Sequence, residues 1–242
     1  FGVTPHGHPG EAIVLLVAVV WHLMGIPLRR ESTETDRLLA LSDGVIAIAI
    51  TLLVLELTVP EVPPGTPTAA VPTLVFEQWH EFVGYVLSFL VIGSYWVNHR
   101  RLFVHIERHD RGVVWLNLVF LLVLAFVPFA SSMFATYPNQ FGVMFLAGAL
   151  ALTGLCLTLL WSYASRQRLL KEGLASRTVQ IQAARFLASP FVFVLSIGVA
   201  AFDPGLGILT WLLLVPINVA LQSRLADSLE APIDRPEDRP DG

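Results

Sequence analysis

After Arg30, six runs of about 20 predominantly apolar residues follow one another, at 38–59, 76–97, 113–134, 141–163, 184–202 and 206–223. About 20 such residues suffice for a helix to cross the hydrocarbon core of a bilayer. Only 14% of the 242 residues are charged, against about 25% in an average soluble domain. The chain therefore reads as an all-α integral membrane protein, a six-helix bundle per subunit. Turn and charge signals separate the runs: VPEVPPGTPT after the first, NHRRLFVHIERHDR after the second, TYPNQ after the third, SRQRLLKEGLASRTVQ after the fourth and DPG after the fifth.

The basic residues orient the bundle. Arg29, Arg30 and Arg37 precede the first run, and Arg100, Arg101, Arg108 and Arg111 lie between the second and third. Arg166, Arg168, Lys171, Arg177 and Arg185 lie between the fourth and fifth, and Arg224, Arg235 and Arg239 follow the sixth. All 15 Lys and Arg thus fall on one side of a six-helix arrangement. Because basic loops stay on the cytoplasmic face, both ends of the unit are expected there. The opposite side carries Glu56, Glu61, Glu77, Glu81 and Asp203 on or near it. These acids read either as a solvated loop surface or as a vestibule whose negative potential concentrates cations.

Three segments follow: residues 1–29, a six-helix unit over 30–224, and an acidic, Pro-rich tail over 225–242 that reads as disordered and cytoplasmic. For the first segment two readings stand. It is an extra helix over 12–28 with its N-terminus outside, or sequence upstream of a true initiator at Met24. The spacing of His6, His8 and His22 fits no closed metal-ligand set. The single cysteine, Cys156, reads as a small buried residue. No nucleotide loop, metal cluster or nucleophile elbow is present, so neither a cofactor nor nucleic acid is expected, and the chain does not read as an enzyme.

The first run, RLLALSDGVIAIAITLLVLEL from Arg37 to Leu57, carries polar residues where a lipid-facing helix would not. A carboxylate at the depth of Asp43 costs roughly 2–3 kcal/mol unless it is paired or wet, so it is expected to face protein or water. His99 and Asn98 of the second run and Trp115 and Asn117 of the third lie at the depth of Ser42 and Asp43. They form either a polar cluster that satisfies its own hydrogen bonds and fixes the tilt of the first helix, or one that senses protons through His99. Helical spacing puts Ile48, Leu52 and Leu55 on one face, with Leu41, Gly44 and Thr51 close to it.

The stretch Arg37–Leu57 resembles the signature of the transmembrane-protein-175 family, usually written R-x-x-x-F-S-D, with Leu41 here where Phe is usual. YWVNHRRLF (Tyr95–Phe103) and WLNLVFLLVLAFVPF (Trp115–Phe129) resemble the end of the family's second helix and its third helix. The likeness covers residues 30–224. It does not reach residues 1–23, which favours the upstream-sequence reading.

The resemblance implies a potassium-permeable, weakly selective cation channel, a homotetramer in a lipid bilayer, in the inner membrane of a bacterial cell. No carbonyl filter is implied, and the chain has no T-V-G-Y-G segment. The first helix would line the pore. Ile48, Leu52 and Leu55 would form apolar gating rings, Thr51 would offer hydroxyls to the permeating K+, and Glu56 would be an electrostatic collar near the outer mouth. Arg37, Ser42, Asp43, His99, Trp115 and Asn117 would be a structural buttress.

A proton-leak channel is a variant within the family. A secondary transporter would need repeats, broken helices or ionisable groups at mid-membrane, and only the kinks expected at Pro128 and Pro216 point that way. A membrane enzyme would have to rely on Asp43 and His99 as an acid/base pair.

Overall fold

The polar punctuation between the apolar runs becomes helix caps. Asp110 accepts from Val113 N at 2.9 Å, Asn139 from Phe141 N at 3.0 Å and Gly142 N at 3.3 Å, and Asp203 from Leu206 N at 2.8 Å. Each satisfies amide hydrogens that the first turn of a helix leaves free. In the DPG signal Pro204 occupies the first turn, where its missing N–H costs nothing.

These caps punctuate a computed structural model that describes residues 32–223, positions 109, 172, 175, 215 and 222 excepted. The readings for 1–29 and 225–242 lie outside the described residues. The order is α1 (Ser32–Leu52), α2 (Val71–Glu77), α3 (Trp79–His105), α4 (Arg111–Ala125), α5 (Val127–Thr136), α6 (Gln140–Arg166), α7 (Ser176–Ala200) and α8 (Pro204–Leu209). A 3-10 turn, Leu53–Glu56, tightens the end of α1, and another, Thr210–Leu213, continues α8. Among the described residues, six helical stretches are long and apolar enough to cross a membrane: Asp36–Glu56, Glu81–His105, Arg111–Thr136, Gln140–Arg166, Ser176–Ala200 and Pro204–Leu221.

Two of these stretches depart from the hydropathy reading. The second runs on to His105 where the apolar run stops at 97, and the fifth begins at Ser176 where the run begins at 184. Arg and Gln are good helix formers, so a helix continues past the point where lipid-compatible composition ends. The third span is broken between α4 and α5, with Pro128 in the first turn of the second piece. Proline cannot donate to the preceding turn, and the regular helix is interrupted at Phe126, just ahead of it.

The core is built around α6, which packs against α4, α5 and α7. Its span is 61% buried, against 28% for the first and 12% for the sixth, so α1 and the last span lie at the periphery of the protomer. With no water to compete, interhelical hydrogen bonds tie the bundle together. Tyr95 Oη donates to Leu150 O at 2.6 Å and lies 2.7 Å from Ser189 Oγ, joining α3, α6 and α7. Ser88 Oγ reaches Ser131 Oγ at 3.1 Å, and Trp211 Nε1 donates to Ser196 Oγ at 2.8 Å.

The loops sort to two ends. Ile106 pairs with Leu170, Glu107 N donates to Leu169 O at 2.9 Å, and Lys171 N donates to His105 O at 2.9 Å. The two central basic loops therefore meet at one end of the bundle. At the other end, Thr58 N donates to Glu81 Oε2 at 2.8 Å and Gln140 Nε2 to Ala201 O at 2.8 Å.

Candidate functional site

α1 has two faces, both mainly apolar. Leu38, Ser42, Ile46, Ala49 and Leu53 are buried in the protomer. Steps of three and four residues place them on one stripe, against α3, α4 and α5. Much of the rest of the helix is uncovered, including a stripe on which Leu41 is 49% exposed, Ile48 60%, Leu52 41% and Leu55 74%, and also Ala40, Ala47 and Val54. Gly44 and Thr51 are exposed with them, and a Cβ at Gly44 would meet nothing within 4 Å. At 1.5 Å per residue the stripe from Leu41 to Leu55 is about 20 Å long, some two-thirds of a hydrocarbon core.

One polar group interrupts the middle of this stripe. Thr51 Oγ1 donates its hydrogen to Ile48 O at 2.9 Å. The hydroxyl's donor is thus held by its own helix, and its oxygen lone pairs remain as acceptors on the exposed side. Glu56 is half-buried in the 3-10 turn beyond Leu55.

The polar residues at the start of α1 divide into two clusters, both of which meet α3. On the buried side, Asn117 Nδ2 donates to Ser42 Oγ at 2.9 Å, and Ser42 donates onward to Leu38 O at 2.8 Å. Since the Asn117 amide nitrogen faces Ser42, its Oδ1 is the acceptor that meets His99 Nε2 at 2.7 Å. This chain of bonds requires the proton on Nε2. The His99 ring stacks on Phe120 with centroids 5.3 Å apart and leans on Phe103 at 4.7 Å. Ser42, His99 and Asn117 are all fully buried, so the network locks α1, α3 and α4 together in a dry setting.

Asp43, the next residue, also turns toward α3 but into a more exposed setting. Trp96 Nε1 donates to Asp43 Oδ1 at 2.7 Å, and Arg100 Nη1 lies 3.5 Å from Oδ2. The Arg100 guanidinium also sits over the Trp96 ring, 5.4 Å from its centroid. The side chains of Arg100 and Asp43 are 56% and 38% exposed, so this cluster is wet where the other is dry.

Ser42, His99 and Asn117 are therefore brought together, and Asp43 stands apart with Trp96 and Arg100. Trp115 is half-buried on α4, and Arg37 is exposed at the start of α1; neither joins these two clusters. Asp43 and His99 do not form the acid/base pair that a membrane enzyme would require. Sequence reasoning missed Trp96 and Arg100. The signal was their four-residue spacing, which stacks both side chains on one face of the second helix beside Asp43.

Among the described residues, six membrane-length helices with α6 at their core, and a peripheral first helix anchored by polar side chains, define an all-α integral membrane protein. The chain belongs to the TMEM175 family. The family model described as endosomal/lysosomal potassium channel TMEM175 matches residues 37–128. A Chryseobacterium protein named as a potassium channel is 32% identical over 200 residues, covering 80% of this chain and 97% of that one. A Streptomyces collinus protein, also named as a potassium channel, is 45% identical over 108 residues. That match takes in 44% of this chain, which thereby spans about half, 50%, of the Streptomyces protein's length. The crystal structure of a lysosomal potassium-selective channel TMEM175 homologue from Chamaesiphon minutus shares the fold, with a TM-score of 0.69 at 26% identity. The match covers 78% of this chain and 99% of that chain. A Danio rerio relative, 30% identical over 135 residues and covered over 25% of its length, is named an endosomal/lysosomal proton channel.

Proposed function

We propose that this chain forms a potassium-permeable, weakly selective cation channel in which four copies bring their α1 helices around a central pore. The observation that carries this reading is the uncovered stripe Leu41–Leu55 on the helix whose other face is pinned by the Ser42–Asn117–His99 network. A pore helix needs both properties at once: a rigid mount, and a face its own subunit leaves free.

In this arrangement Ile48, Leu52 and Leu55 form successive apolar rings. Rings of this kind close a pore by dewetting, and a small rotation of the helices rewets it. The Thr51 oxygen offers acceptors between them to a partly dehydrated ion, and Glu56 supplies negative potential at the outer mouth. A few hydroxyls replace little of an ion's hydration shell, so selectivity is modest. Gly44 lets neighbouring backbones approach closely. The basic end of the bundle faces the cytoplasm of a bacterial cell.

Proton conduction is the second reading, favoured by the name of the Danio rerio relative.

The test is ion flux from liposomes containing the purified protein, with sodium, N-methylglucamine and a pH reporter as controls. Potassium flux is expected to exceed sodium flux, and Leu55→Ala is expected to raise it. Proton flux without potassium flux selects the second reading. A folded tetramer that passes no ion overturns both.

A further inference from the structure

Among the described residues, four buried polar side-chain atoms have no hydrogen-bond partner: His99 Nδ1, Arg101 Nη1, Gln182 Oε1 and Arg185 Nε. Three of the four are on α3 and α7. Gln182 and Arg185 are three residues apart on α7, hence on one face of it. They are only 2% and 6% exposed. Arg101 is on α3, which meets α7 where Tyr95 Oη lies 2.7 Å from Ser189 Oγ, and Arg101 and Arg185 both lie toward the basic end from that contact. The helical turn of about 100° per residue separates Arg101 from its neighbour Arg100. Arg100 thus serves Asp43, while Arg101 leaves α3 on a different side and its Nη1 is buried without a partner.

Two like charges at low exposure repel each other, and no carboxylate among the described residues pairs with either. A buried charge is tolerated when it is paired and hydrogen-bonded. A water molecule would fill a hydrogen-bond gap but leave both charges uncompensated. A small oxyanion satisfies both needs, and guanidinium groups match phosphate oxygens in charge and geometry. The Gln182 amide, turned over, adds an N–H donor. Arg185 stands at the start of the apolar run 184–202, and Arg101 lies just beyond the run 76–97. Both are therefore near the level where lipid phosphates line a membrane, within reach of a long basic side chain.

We propose that Arg101 and Arg185, with Gln182 beside them, bind a phosphate-bearing anion at the basic end of the bundle. This site is separate from the α1 stripe, and the proposal does not depend on what permeates there. Its occupant would clamp α3 to α7.

The test is thermal unfolding of the purified full chain, stripped of lipid in a non-ionic detergent. The probes are dioctanoyl phosphatidylglycerol, dioctanoyl phosphatidylcholine and inorganic phosphate, each applied to wild type, Arg101→Gln and Arg185→Gln. At about 100 times its Kd the bound anion is expected to raise the Tm by roughly 5–10 °C. Arg185→Gln should abolish that shift, and without added anion it should melt no lower than wild type, because it removes an uncompensated buried charge. A shift with phosphatidylglycerol alone identifies a lipid headgroup as the source. An equal shift with inorganic phosphate identifies a soluble one. Equal shifts in wild type and Arg101→Gln, or none with either anion, overturn the proposal. If Arg185→Gln fails to fold, Arg101→Gln, at the more exposed position, carries the comparison by itself.

Discussion

Two residues adjacent in sequence, Ser42 and Asp43, live in opposite environments, and their energetics should differ accordingly. Ser42 is fully buried and Asp43 is half-exposed. Asn117→Ala removes the only acceptor given to His99 Nε2–H within the dry network, and a stranded buried donor costs about 1–3 kcal/mol. Asp43→Asn keeps an oxygen for Trp96 and loses only a solvent-screened ion pair, worth at most about 1 kcal/mol. Thermal unfolding in detergent should therefore show a clear Tm loss for Asn117→Ala and a small one for Asp43→Asn. The reverse order would mean that the wet cluster, and not the dry one, holds α1. If Asp43 is a buttress, Asp43→Ala should also lower assembly yield more than it alters the potassium-to-sodium flux ratio. A well-assembled tetramer with a changed ratio would place Asp43 on the ion path.

At the scale of elements, the tightest crossing of α3, α6 and α7 is at Gly154. A Cβ there would stand 2.8 Å from Pro190 Cδ and 3.0 Å from Tyr95 Oη. Pro190 is inside α7, and its ring cannot give way as a flexible chain end would. Gly154→Ala should destabilise the protein by about 1–3 kcal/mol through overpacking. Tyr95→Phe, which removes the bond to Leu150 O, should cost about 1 kcal/mol. The Phe ring also vacates one of the two close contacts, so the double variant should lose less than the sum of the singles. Strict additivity of the Tm losses would show that Pro190 alone sets the crossing. None of this was legible in the sequence, where Gly154 and Pro190 are far apart in the chain and the second helix gave no sign of meeting either.

At the scale of the whole molecule, the free stripe of α1 is useful only if copies assemble with these faces together. Gly44→Cys, in a Cys156→Ser background, puts a thiol on that stripe. A short bis-maleimide should then link subunits into covalent dimers, and nothing larger, on a denaturing gel, since each subunit carries one thiol. A tetramer by size that yields no links would move α1 away from the symmetry axis. A monomer by size would end the channel reading as stated. The six membrane helices and the gathering of basic loops at one end were legible in advance, because run length and charge placement are local properties that a bilayer turns directly into structure. The Ser42–Asn117–His99 cluster was legible as residues sharing one depth. Its division from Asp43–Trp96–Arg100 was not, because a depth says nothing about the angle at which a side chain leaves its helix.

By itself, the sequence determined the six membrane-length helices of the described residues, the basic and acidic ends, and which residues of α1 share a face. Each follows from composition and from periods of three and four. Only the tertiary structure decided which face of α1 its own protomer covers, since both faces are apolar and lipid removes the contrast that hydrophobicity reads in water. It also decided that Asp43 pairs with Trp96 and Arg100 while Ser42 pairs with Asn117, because partners are set by the rotation and crossing of helices, and neither is written in any one segment.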